Sequence, residues 1–169
     1  ASQLIPKIAG VDRENVFTAW DILLGKKEAR GENVAVAGGG SVGCETAEFL
    51  ATKGKRVTIV EMRPQIAIDM EPKTKTCFLQ RIHKHGIKVL THHKITEILD
   101  AGIVTIDKQQ NRNVIKLDGI VLSVGAVPNK NLQESLKDKA LDIYTVGDCR
   151  SPRKLIDAVH EGYAIALEI

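Results

Sequence analysis

The sequence predicts an α/β protein: a strand–helix–strand (βαβ) unit feeding a mainly parallel sheet, with an antiparallel three-strand meander inserted as a crossover. Three observations predict it. A buried-strand pattern at residues 33–37 runs into a glycine turn at 38–43 and then into helical periodicity up to Lys53 and Gly54. From residue 94 the apolar period changes to two over three short runs separated by turn residues. A run at 119–124 that is apolar but for Ser123 then follows, so strands and helices alternate as they do where crossovers bury both faces of a sheet.

Taken in order, residues 16–27 carry Val16, Trp20, Leu23 and Leu24 at helical spacing, which predicts a short helix stopped near Gly31. Next come a strand at 33–37, a helix at 41–53 and a β-rich strand at 56–61. After Pro64, residues 71–85 place Phe78, Leu79 and Ile82 on one face of a second helix that Gly86 ends. A short strand at 87–90 precedes the meander at 95–99, 103–106 and 114–117. Beyond the apolar strand 119–124, a helix at 131–137, a strand at 142–146, a turn at Gly147 and Asp148 and a last helix from Leu155 complete the prediction.

With 169 residues, 43% of them hydrophobic and 27% charged, the chain is long enough to bury a core and has the composition of a folded protein. A net charge of +3, with no basic run interleaved with aromatics, argues against nucleic acid as a partner. No apolar stretch approaches the roughly 20 residues of a membrane-spanning helix, so no membrane partner is expected. Cys44, Cys77 and Cys149 form no CxxC pair; they read as scattered reduced thiols of a cytoplasmic protein and write no zinc or dithiol site. His92 and His93 are adjacent on an extended segment and point opposite ways, so no metal site is expected there. The chain opens on Ala-Ser-Gln and closes inside a helical pattern, which is expected of a piece of something longer.

The chemistry lies in the glycine turn. Gly38, Gly40 and Gly43 form a GxGxxG that follows a strand and opens a helix, the context that makes it a dinucleotide-binding signature and the unit Rossmann-like. Gly38 allows the tight turn, Gly40 lets the backbone approach a pyrophosphate, and Gly43 lets helix and strand pack closely. The amides of Ser41 and Val42 at the helix start, aided by the helix dipole, suit phosphate charge. Glu61 ends the next strand, where its carboxylate can accept from an adenosine ribose diol and repel a 2′-phosphate. NADH is therefore expected ahead of NADPH, although Arg63, two residues on, is placed to reach a phosphate. An S-adenosylmethionine-dependent methyltransferase shares a similar loop and acidic strand end and is the rival reading of these residues alone.

The segments GGGSVGCETAEFLATKGKRVTIVE, LDGIVLSVGAVPN and IYTVGD resemble the NAD-binding half of the two-dinucleotide-domain flavoprotein oxidoreductases. VGDCRSPRKLIDAVHEGYAIALEI is similar to the carboxy-terminal segment of the NADH:flavin oxidoreductase, 2-enoate reductase and 2,4-dienoyl-CoA reductase group, to which trimethylamine dehydrogenase is also similar. The resemblance implies an NAD(H) domain at 33–128 flanked by parts of an interrupted FAD domain, a lead-in at 1–32 and a truncated return at 129–169. The FAD domain's own glycine loop would precede Ala1, so this chain alone is not expected to hold FAD well.

The resemblance also implies roles. Glu45 matches the glutamate of a GGGxxGxE pattern that accepts from the nicotinamide carboxamide; read from the residues alone, it is a first-turn glutamate favouring a helix N-terminus. Gly125 matches a small residue passing beside the nicotinamide, while Pro128 and Asn129 read equally as a turn. Asp148 matches a Gly-Asp whose carboxylate meets the ribityl chain of FAD, with a helix-initiating turn as the simpler reading. His160 faces either the flavin or solvent. The CxxxxC dithiol of glutathione-reductase-like relatives does not occur in these residues.

The function expected is that of an NADH-binding module presenting nicotinamide to FAD in a longer flavoprotein oxidoreductase. Electrons would pass on through an iron–sulfur cluster to FMN in a barrel domain of the same polypeptide, and no catalytic side chain is expected in this piece. The alternative is a nucleotide-sensing domain without turnover.

Overall fold

The computed structural model describes residues 1–139 and 142–169. In chain order the first elements are β1 (Ser2–Gln3), β2 (Val16–Thr18), α1 (Ala19–Leu23), β3 (Asn33–Ala37), α2 (Ser41–Thr52), β4 (Arg56–Val60), α3 (Pro72–Lys84) and β5 (Lys88–Leu90). There follow β6 (Lys94–Leu99), β7 (Gly102–Ile106), β8 (Arg112–Lys116), β9 (Gly119–Leu122), β10 (Ala126–Val127), α4 (Asn131–Leu136), a 3-10 turn at Gly147–Cys149 and α5 (Leu155–Ala166). They fall into two compact units, Ile5–Val124 and a second made of Ala1–Leu4 with Gly125–Ile169.

The larger unit is built on a parallel five-stranded sheet in the order β2-β9-β3-β4-β5. Its central strands β9 and β3 are apolar at every position but Asn33 because both faces are covered. In β3, Val34 and Val36 point into a cluster with Cys44, Ala47 and Leu50 of α2 and Phe78 and Ile82 of α3. Ala35 and Ala37 point the other way, into a cluster with Ile95, Ile98 and Ile103 of the meander. The meander is the separate antiparallel sheet β6-β7-β8, so the expected α/β class with an inserted antiparallel meander is the one the chain adopts. Helix α3 starts as its sequence dictates: Glu71 accepts from the amides of Lys73 and Thr74, and Pro72 takes the position whose N–H needs no partner.

Two local expectations are corrected. Residues 16–27 are not one helix: Val16–Thr18 pair in parallel with β9, Val16 opposite Ile120 and Thr18 opposite Leu122, before Thr18 caps the five-residue α1. The β-branched Val16 and Thr18 favour the strand once β9 offers an edge, and tertiary pairing overrides the helical spacing. Residues 142–146 do not form a strand. Val146 has an extended backbone, but no ladder partner for this stretch exists among the described residues.

The smaller unit pairs β1 with β10 antiparallel, with the Leu4 amide donating to the Gly125 carbonyl at 3.0 Å. In it, α5 is anchored to the 3-10 turn by Glu161, whose carboxylate accepts from the Gly147 amide at 2.7 Å and pairs with Arg150 and Arg153. No helix among the described residues is long and apolar enough to cross a membrane.

Candidate functional site

The glycine turn leaves β3 with its backbone fixed by close approaches. Gly38 has φ +100° and donates its amide to the Val60 carbonyl at 2.9 Å. A Cβ there would run into the Ser123 carbonyl, whose carbon lies 2.9 Å from the ideal Cβ position, so both handedness and space demand glycine. Gly43 is buried in the first turn of α2, and a Cβ on it would overlap the Gly38 carbonyl group and stand 3.3 Å from Ser123 Oγ. Helix and strand are thereby held closer than any side chain permits.

Gly40 is the N-cap of α2 and supplies no side-chain acceptor. The amides of Ser41, Val42 and Gly43 have no acceptor within the helix, as in any α-helix start. One of them is already used by an anion: the Asp69 carboxylate accepts from the Ser41 amide at 2.9 and 3.1 Å and from Ser41 Oγ at 2.6 Å. The helix start thus takes a negative group, the property a pyrophosphate needs. Val42 is exposed beside it.

Glu61 lies one residue past β4 and is 8% exposed. One carboxylate oxygen accepts from the Gly39 amide at 2.6 Å, the other from the Arg63 amide at 2.7 Å. Both bonds orient the carboxylate and leave each oxygen a further lone pair. The side chain of Arg63 is exposed, and its carbonyl accepts from the His92 amide. Among His92 and His93, the ring of His93 is hydrogen-bonded through Nδ1 to the Thr91 carbonyl oxygen.

Glu45 requires a correction to its helix-dipole reading. Helix α2 begins at Ser41 and has no acidic residue in its first turn; Glu45 is exposed one turn further on. Cys44 is buried against the loop, its Sγ–H directed at the Gly39 carbonyl. Burial pushes its thiol up to about 12, with the negative charges of Asp69, Glu61 and Glu45 acting in the same direction. The thiol is therefore held in its protonated form at neutral pH.

In the smaller unit, Gly125 has φ +113° with no atom within 4 Å of a built Cβ, so the backbone conformation rather than space asks for glycine. Asn129 caps the turn into α4 by accepting from the Asn131 amide. Asp148 is exposed in the 3-10 turn and accepts from the Arg153 amide at 3.3 Å, a turn-forming contact ahead of α5. His160 is exposed on α5.

Sequence reasoning missed Asp69 and the segment that carries it. Ile66 and Ala67 are buried against the loop, the Ala67 amide donates to the Gly39 carbonyl at 2.6 Å, and Ala67 has φ +52°. The signal was present: an apolar run, Ile66-Ala67-Ile68, immediately before Asp69 in the loop that follows Glu61.

Comparison with known proteins is consistent with this geometry. The chain is 44% identical over 168 residues to an NADH oxidase of Thermoanaerobacter brockii, covering 97% of this chain and 26% of that protein. It is 36% identical over 167 residues to a bilirubin reductase of Mediterraneibacter gnavus (strain CC55_001C), covering 98% of this chain and 26% of that one. Among solved structures, a 2-naphthoyl-CoA reductase in complex with 2-naphthoyl-CoA superposes with a TM-score of 0.89 at 31% identity, over 100% of this chain and 26% of that chain. The chain thus spans about a quarter of the length of each of these relatives. Residues 1–164 match the family described as pyridine nucleotide-disulphide oxidoreductase, which sets the methyltransferase reading aside. The chain belongs to the pyridine nucleotide-disulphide oxidoreductase family.

Proposed function

We propose that this chain binds NADH along the glycine turn and Glu61, and presents the nicotinamide to the flavin of FAD in a longer oxidoreductase. The observation that carries the reading is the buried Glu61 carboxylate, tied to the Gly39 amide beside a helix start that accepts an anion. A reduced nicotinamide supplies a hydride, for which an oxidised flavin is an acceptor. The residues of this chain contribute position: Gly38 and Gly43 fix the turn, the α2 amides meet phosphate charge, and Glu61 holds the adenosine ribose and disfavours a 2′-phosphate.

The domain assignment belongs to the same proposal, with 33–128 as the NAD(H) domain and 1–32 and 129–169 as parts of an FAD domain completed elsewhere in the polypeptide. So do the roles that the family pattern implies for Glu45, Arg63, Gly125 and Asp148. The 2-naphthoyl-CoA reductase and bilirubin reductase relatives support a reductase as the parent enzyme; that it is of the enoate and dienoyl-CoA reductase kind, cytoplasmic, with FMN and an iron–sulfur cluster in a barrel domain, is part of the same proposal. By itself the chain then shows little or no turnover.

Titration with NADH and NADPH, monitored calorimetrically, tests the binding claim. NADH is expected to bind more tightly, and Glu61→Ala to weaken NADH by about 1–3 kcal/mol, the cost of leaving hydrogen-bonding groups unpaired, with a smaller effect on NADPH. An NADH-to-NADPH preference that survives the substitution would show that another residue reads the ribose.

A further inference from the structure

Asp69 stands where the proposed pyrophosphate would have to go. It lies 28 positions from Ser41 in sequence, yet its carboxylate accepts from both the amide and the hydroxyl of Ser41. The contact is held there by its neighbours. Ile66 is buried, and its Cβ would lie 3.1 Å from a side chain built on Gly39; the Ala67 amide is bonded to the Gly39 carbonyl, so the loop backbone is pinned onto the glycine turn two residues before Asp69. Ile68 and Asp69 themselves are exposed.

The Ser41 amide has one proton. While that proton and the hydroxyl serve Asp69, neither serves a phosphate oxygen, and a carboxylate within hydrogen-bonding distance of a phosphate adds like-charge repulsion at a helix start that favours only one anion. We infer that Asp69 is an internal competitor for the anion position of α2: it caps the helix start when no dinucleotide is bound and must withdraw for the pyrophosphate to enter. The inference rests on the dinucleotide reading and goes beyond it, because it makes affinity depend on a residue that contributes nothing to the ligand. Binding is weakened by the fraction of molecules in the closed arrangement, and removing the competitor restores it.

The test compares wild type, Asp69→Asn and Asp69→Ala, each checked for an unchanged melting profile, by calorimetric titration with NADH, ADP-ribose and adenosine. Asn keeps an acceptor oxygen and loses the charge; Ala loses both. Expected are dissociation constants for NADH and ADP-ribose that fall in the order wild type, Asn, Ala, by roughly ten-fold in all for a closed state holding about nine molecules in ten. Adenosine, which carries no phosphate, should bind all three alike. Unchanged or weaker NADH binding in a folded Ala variant overturns the inference and leaves the dinucleotide reading standing, as does an equal gain for adenosine. Failure of all three proteins to bind NADH or ADP-ribose overturns both.

Discussion

Replacing Gly43 by Ala puts two known effects in opposition at one residue. In a helix interior the change gains about 0.8–1.0 kcal/mol, because alanine gives up less conformational freedom. Here the new methyl group would overlap the Gly38 carbonyl oxygen, with the carbonyl carbon only 3.0 Å and Ser123 Oγ 3.3 Å away. That carbonyl cannot retreat, since Gly38 is bonded to Val60 on one side and abuts Ser123 on the other. Relief comes only by lifting α2 from β3 and loosening the packing of Cys44, Ala47 and Leu50. Because the overlap is with backbone that cannot move, the cost lies near the upper end of the about 1–3 kcal/mol of overpacking, and less the helix gain the net loss is about 2 kcal/mol. Urea unfolding should show it, and the melting temperature should fall by about 2–4 °C per kcal/mol in a domain of this size. The matched control is Gly162→Ala in α5, where no atom lies within 4 Å of a built Cβ. That change should stabilise α5 by about 0.8–1.0 kcal/mol, read in hydrogen exchange of its amides. Gly43→Ala as stable as wild type would refute the close-approach argument.

Two further predictions follow from the charges and thiols. With its thiol raised to about 12, Cys44 should be roughly one part in ten thousand thiolate at pH 8 and silent to a thiol reagent until the protein is unfolded, whereas exposed Cys77 reacts at once; modification of both at one rate in the folded protein would contradict the burial. Asp118 is held below the usual carboxylate value by the Asn33 amide first, then the Asn33 side chain and the Glu32 amide. Because its folded value is depressed, its contribution is complete above the unfolded value near 4 and is lost as pH falls through the folded one. Asp118→Asn should therefore flatten the decline of urea midpoints in acid, and parallel curves for wild type and variant would count against it.

Much of the architecture was legible in the residues because its determinants are local. The alternation of β3, the glycine turn, the Glu71–Pro72 start of α3 and the period-two runs of β6 and β7 each follow from side-chain spacing or the sign of φ over a few positions. Gly38 and Gly43 were legible for the same reason, since the turn needs glycines where backbones touch, and so was the placing of acidic Glu61 just past the adjacent strand.

Tertiary structure decided the rest. Val16–Thr18 became a strand because β9, more than a hundred residues later, supplies its hydrogen-bonding edge, while residues 142–146 found none among the described residues. Glu61 was readable as acidic, but that its two oxygens would be fixed by Gly39 and Arg63 was not. Least of all could sequence place Asp69 on Ser41, since that contact depends on Ile66 and Ala67 docking the following loop onto the glycine turn. Periodicity and backbone handedness are properties of neighbours along the chain. Which strand finds an edge, and which anion settles at a helix start, depends on segments brought together only by folding.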